Sequence, residues 1–178
     1  MREVLDVLRP AFVACLGEGA QLYELAALIS DPGSPQQPFH PDTPYRDDQG
    51  VAVLTAFIAL QPVDETMGPT LFVPGSHTAE AHAAFNQRDD GGDARLAVLR
   101  RQPVWRAALG AGDVALFDSR LIHCGSANRS PRRRVLFYIS FRAAGAHAPP
   151  GTLLYDLRGV HSLADFDVAS AAQSQPRN

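Results

Sequence analysis

Apolar residues along the chain fall into short runs separated by turn residues, with one longer helical stripe at the start. Over residues 2–16, Val4, Leu5, Leu8, Phe12 and Leu16 recur at steps of three and four, which predicts an amphipathic helix that Pro10 must kink or divide. Residues 21–30 (QLYELAALIS) fit helix or strand by periodicity alone. Residues 51–63 form a long apolar run with β-branched and aromatic members, predicting a core strand, and residues 71–73 predict another beyond the turn-rich link 64–69. A short helix is predicted over 79–85, capped by Ser76 or Thr78, followed by a polar loop at 86–94 of the kind that can cover a barrel mouth. Residues 95–101 read as a helical turn or strand, and 104–109 as a strand whose Trp105 packs in the core or at its rim. Two short strands, 114–117 and 121–123, flank the turn Asp118-Ser119-Arg120. After a polar loop at 124–131, residues 135–141 (VLFYISF) are apolar on both faces, the mark of a central, buried strand. Beyond them, 152–157 predicts a closing strand, 163–166 a turn of helix, and 169–178 a disordered tail.

Many short strands punctuated by 14 glycines and 14 prolines favour a β-rich sandwich over a helical bundle. At 178 residues and 46% hydrophobic, the chain can bury one substantial core, so a single domain is expected, with its core at about 21–142 and its tail at 168–178. A net charge of −3 and a pI near 6.0 give no general attraction to nucleic acid or an anionic membrane. Two cysteines are too few for a disulfide framework, and no signal-like apolar segment follows Met1-Arg2-Glu3, so a soluble, reducing, cytoplasmic setting is expected. Cys15, on an apolar face of the first helix, and Cys124 both read as small buried hydrophobes.

Chemistry enters at residues 37–42, QPFHPD, where prolines exclude helix but allow an extended chain. Two residues apart on a strand, His40 and Asp42 project to one face. An imidazole and a carboxylate side by side fill two adjacent corners of an octahedron, and a second imidazole completes one triangular face. That set is the two-His-one-carboxylate triad of iron(II) oxygenases, whose open positions accept co-substrate and O2. The pair alone is weak, because six His and 14 Asp give roughly 0.5 such pairs by chance. His123, at the end of a short strand just past a turn, is the second imidazole. His77 and His82 share no strand face with a carboxylate and read as turn or cap residues. Asn128 reads as a turn former.

The run Arg132-Arg133-Arg134 opens the buried strand. A guanidinium there is expensive unless paired, and its fork matches a carboxylate through two parallel charge-assisted hydrogen bonds. A solvated edge meeting surface acids is the commoner fate of such a run. Lying eleven residues after His123, Arg134 is favoured over Arg133 as the functional arginine.

The motifs QPFHPD (37–42), MGPTLFVPGSH (67–77), GDVALFDSRLIH (112–123) and NRSPRRR (128–134) together resemble the phytanoyl-CoA dioxygenase family, in order and over about residues 24–142. The resemblance implies a mainly β fold, a double-stranded β-helix or jelly roll of cupin-like type with a few flanking helices. It implies Fe(II) held by His40, Asp42 and His123, 2-oxoglutarate as co-substrate with its distal carboxylate on Arg134, O2, and a small-molecule substrate. It also favours strand for 21–30. Family halogenases lose the carboxylate ligand; with Asp42 present, hydroxylation with release of succinate and CO2 is expected. Thr55 or Ser130 would add a hydroxyl hydrogen bond to the distal carboxylate, and Gln37 would hydrogen-bond a ligand or co-substrate. Two alternatives stay open: a catalytically silent cupin-like metal-binding protein, and an iron dioxygenase without 2-oxoglutarate, which would leave Arg134 with no purpose. Substrate identity and oligomeric state are not legible.

Overall fold

A computed structural model describes residues 2–87, 93–101 and 103–166. In chain order these form α1 (Arg2–Leu16), β1 (Gln21–Ser30), β2 (Val53–Ala59), β3 (Thr70–Phe72), α2 (Ala79–Asn86), α3 (Asp93–Arg100), β4 (Trp105–Ala107), β5 (Val114–Asp118), β6 (His123–Gly125) and β7 (Arg134–Arg142). Three short 3-10 turns complete them, at Glu65–Met67, Tyr155–Leu157 and Leu163–Phe166. The strands make two antiparallel sheets, one ordered β1-β7-β2-β5 and the other β4-β3-β6. This is a jelly roll, the mainly β architecture expected from the sequence.

The alternation of side chains along β7 explains how the layers stack. Phe137, Ile139 and Phe141 face α1 and pack with Leu5, Phe12 and Leu16, with Phe12 edge-on to Phe141 at 4.9 Å. The opposite face sends Leu136 and Tyr138 into the space between the sheets, where they meet Phe57, Met67, Phe72 and Phe117. β2 does the same, with Leu54, Ala56 and Ile58 toward α1 and Phe57 and Ala59 toward the second sheet. All seven residues of β2 are buried, as a strand paired on both edges and covered on both faces must be. The helix therefore closes the outer face and leaves the inner face free for a site.

Residues 21–30 form a strand, because the inner-edge pairing with β7 outweighs an ambiguous periodicity. The run 51–63 is shorter as a strand than expected. The chain turns after Ala59, Pro62 has no N–H to donate, and Val63 rejoins by bridging Leu109. The expected strand over 152–157 is absent: Leu154 and Tyr155 are 73% and 83% exposed, so their apolar character brings no burial, and the backbone curls into a 3-10 turn. Residues 163–166 are the expected helical turn, and 95–101 lie on α3 and its end. Thr78, not Ser76, caps α2 by accepting the Ala81 N–H; the Ser76 hydroxyl instead joins the Val73 carbonyl to the Ile122 N–H. α1 runs through Pro10 without a break, the ring facing solvent. Cys15 is exposed, a correction to the expectation of burial: it falls past the edge of the Leu5-Phe12-Leu16 stripe. Cys124 is buried, and burial pushes its thiol up to about 11. Residues 88–92 of the expected loop and the expected tail at 169–178 lie outside the described residues. No helix among the described residues is long and apolar enough to cross a membrane.

Gly68 couples this framework to the site. It ends the turn Glu65–Met67 at φ +76°, and a Cβ there would overlap the Ser126 carbonyl oxygen and lie 2.8 Å from the Ala127 carbonyl carbon, both backbone atoms. Gly68→Ala is expected to cost about 3 kcal/mol or more of stability in urea unfolding. A loss under about 1 kcal/mol would mean that this close approach relaxes freely.

Candidate metal and co-substrate site

His40 reaches the site on an isolated antiparallel bridge to His123, each residue's N–H donating to the other's carbonyl at 2.9 Å. This bridge extends the small sheet by one residue beside β6 and brings the imidazoles to 4.7 Å between ring centroids. Asp42 follows two residues on. Its N–H and that of Thr43 donate to the Ser119 carbonyl at 2.9 and 3.1 Å, and the Thr43 and Ser119 hydroxyls are 2.6 Å apart. The turn Asp118-Ser119-Arg120 thus fixes the backbone that carries the carboxylate. Arg120 clamps that turn through its own Asp118, with contacts of 2.5 to 3.0 Å.

One ligand atom from each of His40, Asp42 and His123 lies within 4.8 Å of the others. Asp42 Oδ1 is 3.8 Å from His40 Nε2 and 3.7 Å from His123 Nε2, so all three face a common point. Both imidazoles are held the same way. His40 Nδ1 donates to the Pro38 carbonyl and His123 Nδ1 to the Leu121 carbonyl, each at 2.8 Å. With the proton on Nδ1, each Nε2 lone pair is directed at the shared point, which is how a backbone carbonyl orients a metal-ligating histidine. His123 is buried against Phe57, Phe72 and Phe117. Desolvation lowers its pKa, Asp42 and the Leu121 carbonyl oppose that, and His40 adds to the lowering. The neutral form that can bind a metal is favoured.

A cavity of about 210 Å³ opens in front of these three residues, lined also by Glu24, Leu28, Gln37, Thr55, Tyr138 and Gly125 among others. Arg134 lies beyond its Gln37-Gly125 wall. The residue is 3% exposed, its Nη1 donates to the Gly68 carbonyl, its Nε is buried with no partner, and it has no ion pair among the described residues. Burial lowers its pKa. Its neighbours in sequence differ. Arg133 is exposed and meets Asp31 at 2.5 Å, and Arg132 meets Asp64 at 2.9 Å, both surface pairs. Of the three arginines, only Arg134 is a buried cation awaiting an anion.

Gly125 shows why the wall is thin there. A Cβ would come within 2.9 Å of Gln37 Oε1 and 3.5 Å of Arg134 Nη2. Gln37 accepts the Gly125 N–H at 2.9 Å and donates its own N–H to the Gly125 carbonyl at 2.9 Å, so it clamps β6 while lining the cavity. Thr55 lines the cavity as well, but its hydroxyl lies 2.9 Å from that of Ser140, which donates to Glu24. With Glu24 ionised, Ser140 spends its one proton there and Thr55 must donate to Ser140, leaving only lone pairs toward the cavity. The expected hydroxyl donation from Thr55 to a carboxylate is therefore not available in this arrangement. Ser130 is not on the cavity wall: its hydroxyl turns to Asn128 Oδ1 at 2.8 Å and the Arg132 carbonyl at 3.0 Å. Asn128, read as a turn former, is a buried hub whose amide donates to the Ser30 and Arg132 carbonyls, tying the loop to the end of β1. His82 is no ligand either. Buried in α2, it accepts the Tyr45 N–H on Nδ1 and bonds the Arg120 carbonyl through Nε2. Trp105 stacks on Phe72 at the rim, 53% exposed.

Glu24 and Gly125 escaped the sequence reading. Glu24 is the one charged residue in β1, a signal present in the sequence; the need for glycine at 125 depends on how closely Gln37 and Arg134 converge, which no local pattern carries.

A jelly roll with two imidazoles and a carboxylate at its mouth, and a buried cation behind them, defines the class of non-haem-metal oxygenase folds. A model of the phytanoyl-CoA dioxygenase family (PhyH) matches residues 3–136, and the chain belongs to that family. No curated protein matches. Among solved structures, the chain is 27% identical to the non-heme alpha ketoglutarate dependent carbocyclase SnoK from nogalamycin biosynthesis, with TM-score 0.65, covering 87% of this chain and 62% of that one. It is 26% identical to AviO1 from Streptomyces viridochromogenes Tue57, with TM-score 0.57, covering 73% and 54%. The epimerase SnoN, solved in complex with Fe3+, alpha ketoglutarate and nogalamycin RO, shares the fold at 24% identity and TM-score 0.61, over 85% and 61%. The chain thus spans less than two thirds of the length of these structures. The family uses Fe(II), 2-oxoglutarate and O2, and the donor set fits them: hard and borderline nitrogen and oxygen ligands for Fe(II), an unpartnered buried guanidinium for a carboxylate, and a glycine where a side chain would intrude.

Proposed function

We propose that this protein is an Fe(II)- and 2-oxoglutarate-dependent oxygenase that hydroxylates a small organic molecule. His40, Asp42 and His123 hold the iron, and Arg134 holds the distal carboxylate of 2-oxoglutarate. Once bound, iron and co-substrate supply O2 activation, with oxidative decarboxylation to succinate and CO2. The chain's own contribution is orientation and shielding. The Pro38 and Leu121 carbonyls keep each Nε2 unprotonated and aimed inward. Phe57, Phe72 and Phe117 exclude water from the His123 side. Gln37 keeps β6 in register, and Gly125, bearing no side chain, keeps the wall between the metal face and the guanidinium thin.

The observation that carries this reading is Arg134. A site that binds metal without a dicarboxylate has no use for a buried, unpaired guanidinium, whose burial costs several kcal/mol. The same observation counts against a silent cupin-like protein and against an iron dioxygenase without 2-oxoglutarate. The reading is tested by incubating the protein with Fe(II), 2-oxoglutarate and air and measuring succinate. Slow, iron-dependent succinate formation that disappears in Asp42→Ala supports it. Succinate formed equally by the variant, or none from a protein loaded with iron, contradicts it.

A further inference from the structure

The inner face of β7 runs through Arg134, Leu136, Tyr138 and Ser140. In register, Arg134 pairs with Ser30 and Ser140 with Glu24. Arg134 and Glu24 therefore mark opposite ends of one face, six residues or roughly 20 Å apart at the usual strand rise. A co-substrate anchored on Arg134 and the metal occupies one end of this face and leaves the Glu24 end open.

Glu24 is an acid of the cavity wall that the cofactor chemistry does not use. It accepts the Ser140 hydroxyl at 2.9 Å and, over a long 3.4 Å, the Thr152 N–H. A carboxylate has about four lone-pair positions, so acceptor capacity remains. No lysine or arginine lines this cavity, and Glu24 has no ion pair among the described residues. Burial holds its pKa above the ordinary value and Asp42 pushes it the same way, against the hydrogen bonds from Ser140 and Thr152, which favour the ionised form. Loading the site does not relieve this. The charges of Fe(II) and Arg134 offset those of Asp42 and the two carboxylates of 2-oxoglutarate, so an ionised Glu24 has no cation of the loaded site left to balance it. A half-buried charge of this kind is retained at a cost unless something pairs with it.

We propose that Glu24 is the residue that recognises the substrate, receiving an ammonium group at the end of the cavity opposite Arg134, so that the substrate is an amine. This rests on the reading of the cavity as an oxygenase site. Thr55 and Ser140 support the role by keeping Glu24 in place: their hydroxyls form the chain that ends on its carboxylate. A neutral alcohol could accept and donate there too, but it would leave the charge uncompensated.

The test uses three probes of one length, n-butylammonium, n-butanol and butyrate, titrated into the anaerobic protein with Fe(II) and 2-oxoglutarate and followed by calorimetry. The visible charge-transfer band of the chelated 2-oxo acid reports separately whether the site is loaded. Absence of the band counts against the oxygenase reading, and the titration is then repeated on the protein with metal alone. The proposal expects n-butylammonium to bind more tightly than n-butanol or butyrate by about tenfold or more, as a charge-assisted hydrogen bond allows. In Glu24→Gln, which keeps size and one acceptor oxygen but carries no charge, that preference should vanish. It is overturned if n-butylammonium binds no better than butyrate, if n-butanol binds equally well, or if Glu24→Gln retains the preference.

Discussion

Replacing Arg134 by methionine is expected to leave the apo-protein as stable as before, or more so, while weakening 2-oxoglutarate binding by about 3 kcal/mol, on the order of a hundredfold in Kd. The two halves of this expectation have one cause. In the free protein the guanidinium is buried with its Nε unsatisfied and without an anion, so it costs stability that a methionine of similar bulk would not. Only a carboxylate brought by a ligand makes the charge favourable. The methionine leaves the Gly68 carbonyl without its donor, which offsets part of the gain. A residue kept for binding at the expense of the fold behaves this way; a structural arginine would lose stability on replacement. Arg133→Met supplies the control. Its guanidinium pairs with Asp31 in solvent, where an ion pair contributes little, and 2-oxoglutarate affinity should not change. Thermal unfolding without ligand, alongside calorimetric titration with 2-oxoglutarate, separates the outcomes. A large fall in apo stability for Arg134→Met with unchanged affinity would make the residue structural.

The second large effect is expected at the metal. Conversion of His40, Asp42 or His123 to alanine removes one of three ligand atoms that lie within 4.8 Å of one another. Loss of partners one shell further out costs roughly 10 to 100-fold in metal affinity, so loss of a ligand should exceed about a hundredfold. Metal that binds the folded state raises its stability by mass action. Fe(II) under nitrogen should therefore raise the thermal midpoint of the natural protein and not of the variants. Asp42 is the most telling of the three, because its side chain is 34% exposed and its ion-pair contacts among the described residues are with the two imidazoles alone, whereas His123 is packed among three aromatic rings. A midpoint that rises equally with Fe(II) in Asp42→Ala would place the metal elsewhere.

The parts of this site that local pattern can carry were legible. His40 and Asp42 are two apart on extended backbone, so strand geometry alone puts them on one face. His123 follows a turn whose sequence, Asp-Ser-Arg, announces itself, although the paired segment proves to be His123–Gly125 and not 121–123. The buried strand that begins at Arg134 was evident from its apolar run, and the choice between Arg133 and Arg134 turns on which one faces inward, a matter of register that the structure supplies. What the chain did not disclose depends on distant partners. Ser130 and Thr55 have the right hydroxyl for a carboxylate, but the first is engaged by Asn128 and the second by Ser140, 85 residues away. Exposed apolar residues misled in the same way: Leu154 and Tyr155 look like strand and lie in solvent. Residues 21–30 needed the pairing partner β7, more than a hundred positions distant, to settle as strand and to present Glu24 to the cavity.

A metal face and a carboxylate anchor stand on either side of the thin Gln37-Gly125 wall, placed to hold the two ends of one co-substrate. The most direct measurement is an anaerobic titration of the apo-protein with Fe(II) and then 2-oxoglutarate, watching the visible metal-to-ligand charge-transfer band of a chelated 2-oxo acid. The band is expected to appear in the natural protein, to be lost in Asp42→Ala, and in Arg134→Met to require about a hundredfold more 2-oxoglutarate. Iron binding without the band, or a band indifferent to both substitutions, would contradict this arrangement.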